Sequence, residues 1–210
     1  MSIFEHNDEL EMKAVITGDI VNSRAVEAEK WILELKQKLN LFGQEPKDWE
    51  IYRGDSFQLK VEPENALTAT ILLKSQIKKF KELDVRMSIG IGEVEYDAPK
   101  ITESNGSAFL RSGECFENLK KDLLMIKSAS KSFDKTMNVM FSLAGLSMND
   151  WTPLSSEIIQ ISIENPEMTQ LEMARILDKS QSNISIALKR GGFDEIQKLL
   201  NYYKDEITKL

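Results

Sequence analysis

The 210-residue chain has one cysteine, Cys115, and one histidine, His6. A single thiol excludes an internal disulfide framework and fits a reducing compartment, so a cytoplasmic location is expected. A single histidine, expected in a frayed tail over residues 1–12, argues against histidine-rich zinc chemistry and against a Ser-His-Asp triad. No apolar run approaches ~18–20 residues, so no membrane partner or spanning helix is expected. Met1 to Met12 carries Glu5, Asp8, Glu9 and Glu11 and lacks the basic start and apolar middle of a signal peptide. Trp31, Trp49 and Trp151 are scattered and make no base-stacking platform. Positive charge is in the minority: 27 Lys and Arg against 34 Asp and Glu leave a net charge of −7. Tight, indiscriminate nucleic-acid binding needs many phosphate-neutralising cations and is disfavoured by that balance. An apolar content of 41% still supports real cores, and the length accommodates two domains.

What is present is most specific near the C-terminus. Thr169 to Arg190 reads as two short helices joined by a tight turn, a helix-turn-helix. Thr169 and Glu172 make a capping box, and Ser180 is a natural N-cap for the second helix. Small Ala174 permits close helix approach, while Met173, Leu177, Ile184 and Leu188 supply a shared core. From Lys179 to Phe193 there are three basic residues and no acidic one, a local patch suited to phosphate. Gln181, Ser182, Asn183 and Ser185 in the first turns are candidate base-edge readers. Lys189 and Arg190 are candidate phosphate contacts, with Thr169 and Gln170 at the start of the preceding helix. Ile186 and Ala187 occupy positions where a strong reader presents longer polar groups. One short helix with few cations binds weakly, so a homodimer is expected. A helical bundle that only dimerises or docks on the rest of the chain is the plain alternative.

Upstream, hydrophobic periodicity predicts a strand over Lys13–Ile20 and a helix from Ala28 to Phe42 closed by Gly43. A hairpin follows over Trp49–Val61, then a helix begun by Pro63 with Ala66, Thr70, Leu73, Ile77 and Phe80 on one face, and a strand through Val85–Ile91. This β-α-β-β-α-β order is the ferredoxin-like plan. A loop from Asp97 to Ser107, a helix reaching Lys121, an edge strand at Leu123–Ile126 and a helix around Phe133–Ala144 complete the first unit. The expected class is therefore α+β: a ferredoxin-like domain over 13–145, then an all-α helix-turn-helix domain over 152–210. Gly90 and Gly92 suggest close backbone approach in their strand rather than a phosphate loop. Cys115, without a nearby histidine, is expected to be an inert, partly buried thiol.

Gly18-Asp19 and Gly54-Asp55 sit at a strand end and a hairpin tip, where their carboxylates can converge on Mg²⁺ or Mn²⁺. Glycine before each aspartate would let backbone and phosphate approach. Gly-Asp is equally a good turn dipeptide.

Asp19-Ile-Val-Asn-Ser-Arg24 resembles the first metal motif of class III nucleotide cyclases, and Tyr52-Arg-Gly-Asp55 their second metal-aspartate hairpin. Val85 to Val94 resembles the strand that follows, so the likeness runs over about residues 13 to 120. The resemblance implies Asp19 and Asp55 as metal ligands with help from the Ile20 backbone, and Asn22, Ser23, Arg24 and Gly54 beside a nucleotide. It also implies an asparagine and an arginine four residues apart on the next helix. Gly106–Cys115 contains no such pair, and Arg111 is the nearest substitute, at a different spacing. Losing that cation removes a large aid to phosphoryl transfer. The palm-like unit followed by a helix-turn-helix, with Thr17–Arg24, Tyr52–Asp55 and Ser180–Ser185, resembles the SatD family of small bacterial proteins. That implies a DNA-binding regulator sensing a nucleotide or divalent ion. The alternative is an Mg²⁺-dependent nucleotide-converting enzyme with the helices as scaffold.

Overall fold

Residues 11–210 are described by the computed structural model of the chain, an α+β fold with one five-stranded mixed sheet and eight α-helices among those residues. The tail expected over residues 1–12, with His6, lies outside the described residues as far as residue 10; Met12 already begins a strand.

Strand β1 (Met12–Val21) runs antiparallel to two neighbours, β3 (Ser56–Val61) and β4 (Asp84–Glu93). β2 (Trp49–Tyr52) pairs with β3 through the expected hairpin. β5 (Leu124–Lys127) adds to the far side of β4 in parallel, giving the order β2-β3-β1-β4-β5. Helices α1 (Ala28–Leu39) and α2 (Ala66–Ile77) separate the strands. The chain turns over Asn40–Phe42 before Gly43, so α1 ends earlier than its apolar spacing predicts. Gly43 instead supplies the carbonyl that Trp49 Nε1 bonds at 3.1 Å.

Alternation along β1 and β4 explains why both faces of the sheet are covered. Ala14, Ile16 and Ile20 join Val85, Met87, Ile89 and Ile91 in the main core with Trp31, Leu35 and α2. The opposite face receives α3 (Ser107–Glu117), where Ser88 Oγ donates to the Ser112 carbonyl and Thr17 pairs with Ser112 at 2.7 Å. A Cβ on Gly90 would lie 2.2 Å from the Ala108 carbonyl oxygen, so glycine here lets helix backbone touch strand backbone.

Helix α4 (Lys131–Met148) leads to α5 (Pro153–Glu164), α6 (Gln170–Ile176), α7 (Gln181–Gly191) and α8 (Phe193–Ile207). The main apolar core continues without a break from the sheet through Met137 and Phe141 of α4, Ile159 of α5, and Leu199 and Tyr203 of α8. The Tyr203 hydroxyl donates to the Pro63 carbonyl at 2.7 Å. Sequence periodicity predicts a one-sided α2; instead every residue except Thr68 is buried, because helices close over its outer side. No helix among the described residues is long and apolar enough to cross a membrane.

The contact at Gly90 is backbone against backbone and cannot relax by a rotamer change. Gly90→Ala should therefore lower unfolding stability by at least about 2 kcal/mol in a urea titration. Unchanged stability would mean that α3 does not sit on β4 in this way.

Candidate functional site

Two places merit chemical attention: the corner where the Gly-Asp pairs lie, and the exposed face of α7. Sheet register builds the corner. Asp19 on β1 is paired with Ser56 on β3 and Arg86 on β4, so three side chains stand in a row on the α3 face. Ser56 Oγ donates to Asp19 Oδ1 at 3.1 Å, and Arg86 Nε and Nη2 both approach Oδ2 at 3.2 Å. Arg86 is held in turn over the Phe116 ring, 4.8 Å from its centroid. Each oxygen of Asp19 thus already accepts a hydrogen bond.

Asp55 belongs to the neighbouring hairpin tip. Its carbonyl accepts the Ile20 N–H at 3.1 Å, and its Oδ2 accepts the Ser23 hydroxyl at 2.6 Å. The two aspartates therefore share one sheet corner, linked through Ser56, Ile20 and Ser23. Asn22 takes a left-handed conformation (φ 60°) and donates to the Glu82 carbonyl. Arg24 is exposed at the same end of β1. Burial pushes the Tyr52 phenol up; Arg53 opposes that rise and the Asp19 charge adds to it.

The two glycines differ. A Cβ on Gly18 would meet the Phe57 ring at 2.3 Å, so Gly18 serves packing and offers phosphate no approach. Gly54 has φ +90°, and a Cβ there would have no neighbour within 4 Å, so this glycine serves the turn and leaves open space. Arg111 is another correction. Its Nη1 donates to the Ile91 carbonyl at 2.6 Å, five strand residues from Arg86 and hence ~16 Å along β4. It stands at the wrong end of the strand to act at the corner.

Fit to a divalent ion is poor in this arrangement. Among the described residues no group of three or more His, Cys, Asp or Glu side chains is poised around one point. Two carboxylates suffice for Mg²⁺ when phosphates supply other ligands, but the Arg86 guanidinium occupies the Asp19 oxygen such an ion would use.

Helices α6 and α7 form as their caps dictate. Thr169 Oγ1 accepts the Glu172 N–H at 3.3 Å while the Glu172 carboxylate accepts the Thr169 N–H at 2.8 Å. The Thr169 N–H and the Thr169 hydroxyl, which both donate to that carboxylate, hold the Glu172 carboxyl below the usual carboxylate range. Thr169 is thereby committed to the cap, and Gln170 is half-buried. Ser180 caps α7 through the Asn183 N–H. Ile158 of α5, Met173 and Ala174 of α6, and Ile184, Ala187 and Leu188 of α7 form a separate small core. Ala187 therefore faces inward, correcting its assignment to the outer surface: at 3.6 residues per turn it falls on the stripe of Ile184, Leu188 and Gly191.

Gln181, Ser182, Asn183, Ser185, Lys189 and Arg190 are all exposed. Helical spacing centres the outer stripe on Ser182, Ile186 and Lys189, and Ile186 is 46% exposed. Asn183, Ile186 and Arg190 border a cleft shared with Asp150 and the start of α5. Sequence spacing does not point to α5 as the third member of this unit, nor to Arg86 as the partner of Asp19. The signal for Arg86 is the strand register itself, which periodicity alone leaves undetermined.

Cys115 is more deeply buried than its sequence setting suggests. Burial first, and the Asp134 charge second, push its thiol up to about 12. At pH 8 the native thiol should alkylate about a thousandfold more slowly than in urea. Equal rates in the two states would show that α3 does not shield it. Searches with protein-family models and against curated proteins found no match to this chain.

Proposed function

We propose that the chain is a bacterial DNA-binding transcriptional regulator of the SatD type. Its N-terminal, ferredoxin-like and cyclase-like part responds to a nucleotide, and α7 is the reading helix. The observation that carries this reading is the outer face of α7: six polar or cationic side chains in solvent, with no acidic residue from Lys179 to Phe193. Ser182 and Ser185 bond base edges in this reading, and Ile186 meets a thymine methyl group. Lys189 and Arg190 hold phosphate, which positions the helix without reading sequence. Thr169 stabilises the preceding helix through its cap and contributes to DNA only through backbone placement.

Coupling between the two parts has a physical route. Val21, two residues beyond Asp19, pairs with Asp84. The Asp84 carboxylate receives Lys74 at 2.7 Å and Lys78 at 3.3 Å. Lys78 also donates to the Asn149 carbonyl, two residues before Trp151, whose Nε1 donates to the Gly191 carbonyl at the end of α7. A phosphate that draws Arg86 from Asp19 disturbs the first link of this chain. The catalytic alternative has less behind it, because Arg111 is fixed far from the aspartates.

DNA sequences selected by the full chain from a random pool supply the test. Lys189→Glu with Arg190→Glu should weaken binding at least about tenfold across sequences and reduce the salt slope by about two. A nucleoside triphosphate should shift the affinity of the wild type but not of Arg86→Gln. Full binding after the double reversal would refute α7 as the reader; an equal nucleotide response in Arg86→Gln would refute the corner as sensor.

A further inference from the structure

Helix α4 carries more apolar side chains than one buried face can use. Met137, Phe141 and Met148 point into the main core, yet Val139, Leu143 and Leu146 are 56, 62 and 76% exposed. Their i, i+4, i+7 spacing makes them one ridge. Leu143 and Leu146 of that ridge form one wall of an apolar groove of about 740 Å³ between α4 and α8, which Met140, Ala144, Ile196, Leu199 and Tyr202 also line. Lys189 and Arg190 in the last turn of the reading helix, and Gly192 after it, also line the groove.

We propose that the occupant of this groove is a second copy of the chain, related by a twofold axis. An isologous interface needs one patch that is self-complementary. Here a convex ridge and a concave groove lie side by side on one face, so each copy can place Leu143 and Leu146 into the groove of the other. The rim has the matching charge pattern. Glu195 and Lys198 lie one turn apart on α8 and both border the groove. Across a twofold that sets the two α8 helices antiparallel, Glu195 of each copy meets Lys198 of the other. Lys189 and Arg190, in the last turn of α7, border the same groove, so the pairing also brings the two α7 helices near one another. The pairing goes beyond the reading of α7 as a DNA helix and would let that helix engage two half-sites. A dimer also removes the largest exposed apolar feature of α4 from water.

Light scattering on the full chain without DNA tests the interface separately from the DNA reading. The wild type should have twice the 24.0 kDa monomer mass. Leu143→Glu with Leu146→Glu should give a folded monomer, because both side chains are solvent-exposed in one copy. Glu195→Lys alone and Lys198→Glu alone should each weaken association about fivefold, and the two together should restore it. That restoration distinguishes the specified twofold from non-specific apolar association and does not depend on the leucine variant. A wild type that stays monomeric up to about 100 μM overturns the proposal. So does a leucine double variant that remains dimeric, or a charge swap that fails to restore. A monomer that takes up an amphiphilic anion such as anilinonaphthalene sulfonate in the groove overturns it in favour of a small ligand. Dimers that fail to bind DNA would leave the interface standing and remove the reader.

Discussion

Helix α2 is the constraint on which the rest of the structure depends, because it has almost no solvent face. One side packs on the sheet; the other is closed by α1, α5 and α8. Burying a helix all round is costly unless its polar groups are matched. Thr70 and Ser75 return their hydroxyls to the carbonyls of Ala66 and Leu72, and Gln76 reaches the Glu34 carboxylate. Lys74 is the sharpest case: burial pushes its ammonium down in pKa, and the Asp84 charge opposes that. Removing Asp84 would leave a buried cation without its partner, the costly half of a broken buried pair. The sheet and the C-terminal helices consequently share one wall. Lys38 with Glu164 and Lys78 with Asn149 add polar ties across it.

That wall gives the corner its significance. The strand end bearing Asp19 is paired with the strand start bearing Asp84, and Asp84 is the anchor for both lysines. Asp19 and Arg86 lie opposite each other by register, with Arg86 resting on Phe116 of α3. Any anion that recruits Arg86 alters contacts to both α3 and β1. The same pairing explains why cyclase-like aspartates need not amount to cyclase chemistry. Both aspartates are present in sequence, but the Arg86 guanidinium takes the Asp19 oxygen that a metal ion would use, and Arg111 serves the opposite end of β4.

Much of this is legible in the chain. Alternation in Val85–Ile91, the Arg53-Gly54-Asp55 turn and the Thr169–Glu172 capping box each act locally, and each appears where the pattern places it. The outward residues of α7 follow from helical spacing once Ile184 and Leu188 are assigned to a core. Ala187 is misplaced by sequence because an alanine fits either face; only the packing of α5 decides it. The full burial of α2 is illegible for a similar reason. Its lysine, serine and glutamine lie off the apolar face that spacing defines, and the partners of Lys74 and Gln76 come from other elements. Gly18 misleads because glycine before aspartate suits a phosphate turn, whereas here the Phe57 ring takes the space.

The function proposed for this chain requires that the outer face of α7 meet DNA while the sheet body holds that helix in place. Mapping amide chemical-shift changes as selected duplex DNA is added to labelled full-length protein tests this most directly. The largest changes are expected at Ser182, Ser185, Ile186 and Lys189, with the amides of β2 and β3 little affected. Changes centred on the β2–β3 hairpin, or none on α7 at saturating DNA, would contradict it.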